Sequence, residues 1–240
     1  MILGMFDHVT IRVSDLAASR AFYELLLGAP THVTDHFTEW DDFGIAAGEP
    51  TRGLHVGFVA ASPAEVDATW QRLIAAGYES DGEPGPRPWY GPEYYGGFLR
   101  DPDGNSAETV YNGPKDLADG RIDHLWIGVA DLEAQKRFYR TIGPTVGIEI
   151  SSELDERFHV RVGKRSFALV ADGRPATTNL HVAFPVGTDE AVAEFHRAAT
   201  AAGYRDNGGP GERPQYHSGY VGAFVLDPDG ANVEAVNHNR

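Results

Sequence analysis

The amino-acid sequence predicts an α+β fold of two tandem domains, each made of two modules that run strand, helix, then about three strands. Three observations carry this. A long segment recurs within the chain, and apolar positions switch between period two and helical spacing inside each recurrence. At 240 residues with 42% hydrophobic content, the chain can bury two ordinary cores.

Residues 7–23, Asp-His-Val-Thr-Ile-Arg-Val-Ser-Asp-Leu-Ala-Ala-Ser-Arg-Ala-Phe-Tyr, return at 123–139 as Asp-His-Leu-Trp-Ile-Gly-Val-Ala-Asp-Leu-Glu-Ala-Gln-Lys-Arg-Phe-Tyr. Leu54-His55-Val56 returns as Leu180-His181-Val182, and Asp101-Pro102-Asp103-Gly104 as Asp227-Pro228-Asp229-Gly230. The first segment returns 116 positions on and the later ones 126, so the second copy carries ten extra residues, expected in a hairpin around 145 to 170. Between the copies, Asn112-Gly113-Pro114-Lys115-Asp116 joins turn formers to a helix breaker after an apolar strand. Domain one is therefore expected over 1–112, a linker over 113–120, and domain two over 121–240.

Each element has a local cause. From Phe6 to Val13, the apolar Val9, Ile11 and Val13 share one face and His8, Thr10 and Arg12 the other, which is a half-buried strand. Asp15 to Leu27 carries Leu16, Phe22, Tyr23, Leu26 and Leu27 at helical spacing and stops at Gly28. Short strands follow over 31–47. A second strand opens at His55, and Ser62-Pro63-Ala64-Glu65 reads as a capping box with proline at the first helical position, starting a helix that runs to Gly77. Strands near 95–100 and 106–111 flank the Asp-Pro-Asp-Gly turn and close the unit.

Composition removes several function classes. The net charge of -15, with 20 basic against 35 acidic residues, lacks the clustered cations that phosphate neutralisation needs, so no nucleic-acid partner is expected. The absence of cysteine excludes disulfides, thiolate metal sites and cysteine nucleophiles, leaving His, Asp and Glu to hold any metal. No basic leader followed by an apolar run and no membrane-length apolar stretch is present, so the expected location is cytoplasmic, without a membrane partner.

Three polar residues recur at matching strand positions: His8, His55 and Glu108, then His124, His181 and Glu234, with the last two of each set 53 residues apart. Two neutral imidazoles and a carboxylate occupy one face of an octahedral ion and leave up to three positions for substrate, water or dioxygen. An open coordination sphere of this kind marks a catalytic rather than a structural metal.

Asp7-His8-Val9 through Phe22-Tyr23, His55-Val56-Gly57-Phe58 and Asp101-Pro102-Asp103-Gly104-Asn105-Ser106-Ala107-Glu108, with their counterparts, resemble the vicinal oxygen chelate superfamily over nearly the whole chain. That superfamily includes glyoxalase I, extradiol dioxygenases, and the fosfomycin- and bleomycin-resistance proteins. The resemblance implies tandem domains of two βαβββ modules each, curved as half-barrels around a metal-centred cavity. It also implies that His8, His55, Glu108, His124, His181 and Glu234 are metal ligands, for Fe(II) or Mn(II) first and Zn, Ni or Co next. Relatives exchange modules, so His8 is open to sharing a metal with Glu108 or, after an intrachain exchange, with Glu234.

Glyoxalase I adds a glutamate on the last strand of its first module, where this chain has Phe43-Gly44-Ile45-Ala46-Ala47 and Phe167-Ala168-Leu169-Val170. Extradiol dioxygenases usually place a tyrosine ten residues before the glutamate, where this chain has Phe98 and Phe224. The implied function is a metal-dependent enzyme of dioxygenase type acting on a small oxygenated substrate. A glyoxalase-like lyase or isomerase and a sequestering protein of the bleomycin-resistance type are the alternatives. Tyr94, Tyr220 and His217 are candidate catalytic groups, and Arg87, Arg213, Thr10 and Trp126 candidate substrate contacts. His238 can reach the face of Glu234, whereas His32, His36, His159 and His196 are weaker candidates. A monomer or homodimer is expected.

Overall fold

Alternation in the first strand is realised as read: Val9, Ile11 and Val13 are fully buried, and His8, Thr10 and Arg12 stand on the other face. The computed structural model describes residues 5–115, 117 and 120–239, so part of the expected 113–120 linker lies outside the described residues. The first module holds β1 (His8–Val13), α1 (Leu16–Leu27), β2 (His32–Val33), β3 (Phe37–Trp40) and β4 (Phe43–Ala47). The second holds β5 (Leu54–Val59), α2 (Pro63–Ala75), β6 (Ser80–Pro86), β7 (Tyr95–Arg100) and β8 (Ser106–Tyr111). The third holds β9 (Ile122–Gly128), α3 (Leu132–Val146), β10 (Glu149–Glu153), β11 (Arg157–Val162) and β12 (Arg165–Val170). The fourth holds β13 (Leu180–Pro185), α4 (Asp189–Ala201), β14 (Arg205–Glu212), β15 (Val221–Leu226) and β16 (Asn232–Asn237).

Helix starts follow the capping signals. Asp15 accepts from the N–H groups of Ala17 and Ala18, and Ser62 accepts from Glu65 N–H. Glu65 reaches back to Ala61 N–H, one residue earlier than a strict capping box requires. Gly28, at φ +86°, ends α1 in a conformation that favours glycine. The ten extra residues are not confined to a hairpin: α3 has 15 residues against 12 in α1, and β10 has five against two in β2.

Two open eight-stranded sheets result, and of the two pairings left open by the sequence the chain takes the exchanged one. The first sheet runs β14-β15-β16-β13-β1-β4-β3-β2 and joins the first module to the fourth. The second runs β10-β11-β12-β9-β5-β8-β7-β6 and joins the third to the second. Each sheet thus draws one module from either side of the 113–120 boundary. At the seams, β1 is antiparallel to β13 with His8 opposite Ala183, and β9 to β5 with His124 opposite Gly57.

Each chain crossing between sheets is tied to the other. Arg52 and Thr178 form an isolated antiparallel bridge. Thr51 Oγ1 accepts from Arg12 N–H and donates to Asn179 O, while Thr177 Oγ1 accepts from Gly128 N–H and donates to Gly53 O. These crossings satisfy buried backbone groups that would otherwise be costly. The Asp-Pro-Asp-Gly turn is a further clasp: Asp101 accepts from Tyr23 O–H, and Asp103 accepts from the backbone and hydroxyl of Ser14.

Helices α1 and α2 contact each other, as do α3 and α4, each pair drawing one member from either sheet. Their apolar faces and the sheet faces they cover form one core: Tyr23 and Phe58 rings lie 6.2 Å apart across the sheets, as do Phe167 and Phe184. Truncating a fully buried aromatic such as Phe58 to alanine costs about 3–5 kcal/mol. With the core on that side, the opposite sheet faces are free to carry polar groups.

Candidate metal centres

The exchanged pairing decides which donors meet. On the second sheet His55, Glu108 and His124 form a group, and on the first sheet His8, His181 and Glu234 form another. Each combines a histidine from one repeat with a histidine and glutamate from the other. The trios His8, His55, Glu108 and His124, His181, Glu234, read within each repeat, are not brought together; the first strands have changed places.

In the second-sheet group, His55 Nε2 lies 3.1 Å from His124 Nε2 and 3.2 Å from Glu108 Oε2, and His124 Nε2 lies 3.3 Å from that oxygen. In the first-sheet group the matching distances are 2.9 Å between His8 and His181, 3.2 Å from His181 to Glu234 and 3.7 Å from His8 to Glu234. Donors at about 2.1 Å from an ion and at right angles stand about 3.0 Å apart, so the second-sheet spacing fits one face of an octahedron. The first-sheet set fits less tightly.

Glycines make room for the carboxylates. A Cβ at Gly96 would lie 2.0 Å from Glu108 Oε1, and one at Gly222 would lie 2.5 Å from Glu234 Oε1. Glu108 is fully buried and Glu234 almost so. Tyr94 O–H donates to both Glu108 oxygens at 2.8 and 2.9 Å, and Tyr220 O–H to Glu234 Oε1 at 2.8 Å. Burial and the neighbouring carboxylate push both phenols up, so they act as donors.

Burial pushes Glu108 up, but hydrogen bonds from His124 and His55 outweigh it and hold the carboxyl below its ordinary value. Burial likewise pushes His124 down, yet Asp123 and Glu108 raise it to about 9. His55 and His181 are lowered by burial. One imidazolium thus neutralises the buried carboxylate of the second-sheet group, and a divalent cation suits the same place.

The outer imidazole nitrogens are also held. His124 Nδ1 bonds Asp123 at 2.9 Å, His8 Nδ1 bonds Asp7 at 2.8 Å, His55 Nδ1 bonds Ser106 Oγ at 3.0 Å and His181 Nδ1 bonds the Asn232 amide at 2.7 Å. Ligation through Nε2 needs the proton on Nδ1, where Asp7, Asp123 and Ser106 accept it; Asn232 instead sets its amide nitrogen on His181 Nδ1 while its oxygen accepts from Asn207, and would have to turn over to take that proton. The donor set therefore fits a metal at the second-sheet centre as it stands, and at the first-sheet centre once the Asn232 amide turns. These partners were legible in part, because Asp precedes the first histidine in both repeats.

The other candidates divide. Trp126 lines the cavity of about 720 Å³ over the second-sheet group, together with Tyr90 and Tyr94. Thr10, its counterpart, lies beside Gly44 and the Phe37 ring. Arg87 and Arg213 are not brought to the donors: each donates to its own hairpin backbone and stacks 5.5 Å over Phe98 or Phe224. His217 reaches the first-sheet group only through others, bonding His238 at 2.8 Å, which bonds Asp7 at 2.6 Å. His159 lines the second-sheet cavity, whereas His32 and His36 are exposed and His196 bonds Asp206. Among the described residues, no helix is long and apolar enough to cross a membrane.

The family model described as Glyoxalase/Bleomycin resistance protein/Dioxygenase superfamily matches residues 5–109 and 121–235. Among solved structures, glyoxalase I from Zea mays is similar at 18% identity, covering 98% of this chain and 92% of that one, with a TM-score of 0.71. A putative dioxygenase from Bacillus subtilis is similar at 14% identity, covering 100% of this chain and 87% of that one, with a TM-score of 0.66. At these identities the likeness is one of fold. No curated protein matches the chain.

Proposed function

The chain belongs to the Glyoxalase/Bleomycin resistance protein/Dioxygenase superfamily, and from that premise we propose that it is a divalent-metal-dependent enzyme of dioxygenase type, acting on a small oxygenated organic substrate in the cytoplasm. One observation carries the reading: two buried glutamates each meet two imidazole Nε2 atoms at metal-ligand spacing. His55, His124 and Glu108 would hold one ion, and His8, His181 and Glu234 a second. A bound Fe(II) or Mn(II) ion would supply Lewis acidity toward adjacent substrate oxygens and redox chemistry toward dioxygen.

The residues of the chain do the rest. Tyr94 and Tyr220 fix the carboxylates, Asp123 and Asp7 fix the imidazole tautomers, and Trp126 with Tyr90 gives a planar substrate an aromatic wall. Strands β4 and β12, beside the first histidine strands, offer no carboxylate as a fourth ligand, which favours a dioxygenase over a glyoxalase-like lyase or isomerase. The aromatic lining also suits retention of a ligand without turnover, as in a sequestering protein.

Anaerobic reconstitution with single metals, followed by metal analysis and oxygen-uptake assays over a substrate panel, tests the proposal. Two equivalents per chain are expected, and fewer than about 0.2 equivalents would favour sequestration. His124→Ala should remove the same equivalent as Glu108→Ala, and His8→Ala the same as Glu234→Ala. A His8→Ala/Glu234→Ala double variant that loses both equivalents would refute the pairing.

A further inference from the structure

Strand β11 places alternate side chains on opposite faces, with Phe158 and Val160 buried in the core. Arg157, His159 and Arg161 therefore share the other face, which looks onto the second-sheet centre. His159 and Arg161 line the cavity there, and Lys164 joins them from the turn before β12. The Arg157 guanidinium lies 4.9 Å from the Trp126 ring centroid, and that of Arg174 lies 5.9 Å away.

Several cavity charges cancel in pairs: Arg100 with Asp81, Lys115 with Asp123, and Arg174 with Asp172. Among the described residues, Arg157, Arg161 and Lys164 make no ion pair, and Lys164 donates only to Pro114 O. A chain of net charge -15 thus gathers, at the mouth of one cavity, cations that pair with no acid among the described residues.

The first sheet carries the opposite arrangement at the same register. His159 stands opposite Ala168, which stands opposite Trp126; Glu39 stands opposite Gly44, which stands opposite Thr10. The stripe Arg157, His159, Arg161 is therefore matched by Phe37, Glu39, Asp41. Glu39 is one of the charges acting on His8, and Asp41 pairs with Arg121.

We infer that the second-sheet cavity takes a small planar anion, an aromatic or conjugated carboxylate bearing two adjacent oxygens, and that the first-sheet centre does not. The two oxygens rest on the metal-dependent reading above; the negative charge rests on the rim alone. Trp126 and Tyr90, whose ring planes stand 86° apart, would meet one the face and the other the edge of the ligand ring, while Arg161 and Lys164 meet the carboxylate.

The test is calorimetric titration of the full chain, Zn(II)-loaded and metal-free, with 3,4-dihydroxybenzoate and its neutral isostere 3,4-dihydroxybenzamide. The benzoate should bind with one site per chain and about tenfold more tightly than the amide, a preference that shrinks at high salt. An Arg161→Glu/Lys164→Glu variant, altered at exposed positions, should lose that factor for the benzoate and bind the amide within about twofold of the parent. Equal affinity for the two probes, or a charge-reversed variant that keeps the preference, overturns the inference. A protein that takes up no metal yet still prefers the benzoate sinks the metal reading alone. One that holds two metals and shows no preference sinks only this one.

Discussion

Gly57 and Ala183 occupy the same place in the two sheets, opposite His124 and His8, and the tightness of the two centres follows that difference. The His124 ring lies where a side chain at Gly57 would begin, 2.4 Å from an added Cβ. It can therefore settle 3.3 Å from Glu108, whereas His8, facing the methyl of Ala183, stays 3.7 Å from Glu234. The outer supports differ too. Asp123 is backed by the buried Lys115, and Asp7 by His238 and then His217. Centres with one donor set can thus be tuned apart by a missing methyl and by the residue behind an aspartate.

The most disruptive way to break the comparison is Gly96→Ala. The new methyl would overlap Glu108 Oε1, so metal affinity at the second-sheet centre should fall by more than about 100-fold, with about 1–3 kcal/mol lost from stability. Metal titration and denaturant unfolding read both effects, and undiminished affinity would show that Glu108 is not a ligand. Tyr94→Phe removes the one O–H donor shared by both Glu108 oxygens, and Tyr220→Phe the one held by a single Glu234 oxygen, so losses of about 10–100-fold are expected, larger for Tyr94 at the more closely spaced centre. Equal losses would mean that the two tyrosines support their glutamates alike.

Asp42 offers a test away from the donors. Burial pushes its carboxyl up to about 6, against backbone donors from Arg121 and Ile122. Since the folded value exceeds the ordinary 3.8, the folded chain holds this proton more tightly than the unfolded chain. The resulting destabilisation is absent below about pH 4, grows as pH rises through about 6, and is complete at neutral pH. Asp42→Asn should flatten that part of the stability profile and gain about 1–3 kcal/mol at pH 7 but not at pH 4, as measured by urea unfolding. The smallest expected change is from Ala183→Gly, which should raise first-sheet metal affinity by about threefold as His8 closes toward Glu234. No change would show that the methyl does not set the spacing.

Much of this was legible because it is local or periodic. The strand carrying His8, the Asp15 and Ser62 caps, the Gly28 stop and the recurrence of two histidines with one glutamate all lie within short windows of sequence. Even the basic stripe of β11 is written in Arg157-Phe158-His159-Val160-Arg161, though reading that stretch as a hairpin enlargement hid its importance. For Arg87 and Arg213 the sequence could not place the side chain, because a cation beside aromatics in a loop has the same signature whether it faces a cavity or its own hairpin backbone.

By itself, the sequence determined the modules, their core faces and the six candidate donors, since each depends on period, turn chemistry or residue type. Only the tertiary structure decided which histidine meets which glutamate. Either exchange leaves every strand's alternation intact, so no local pattern can distinguish them. The choice is made where β1 meets β13 and β5 meets β9, by contacts between residues more than 60 positions apart.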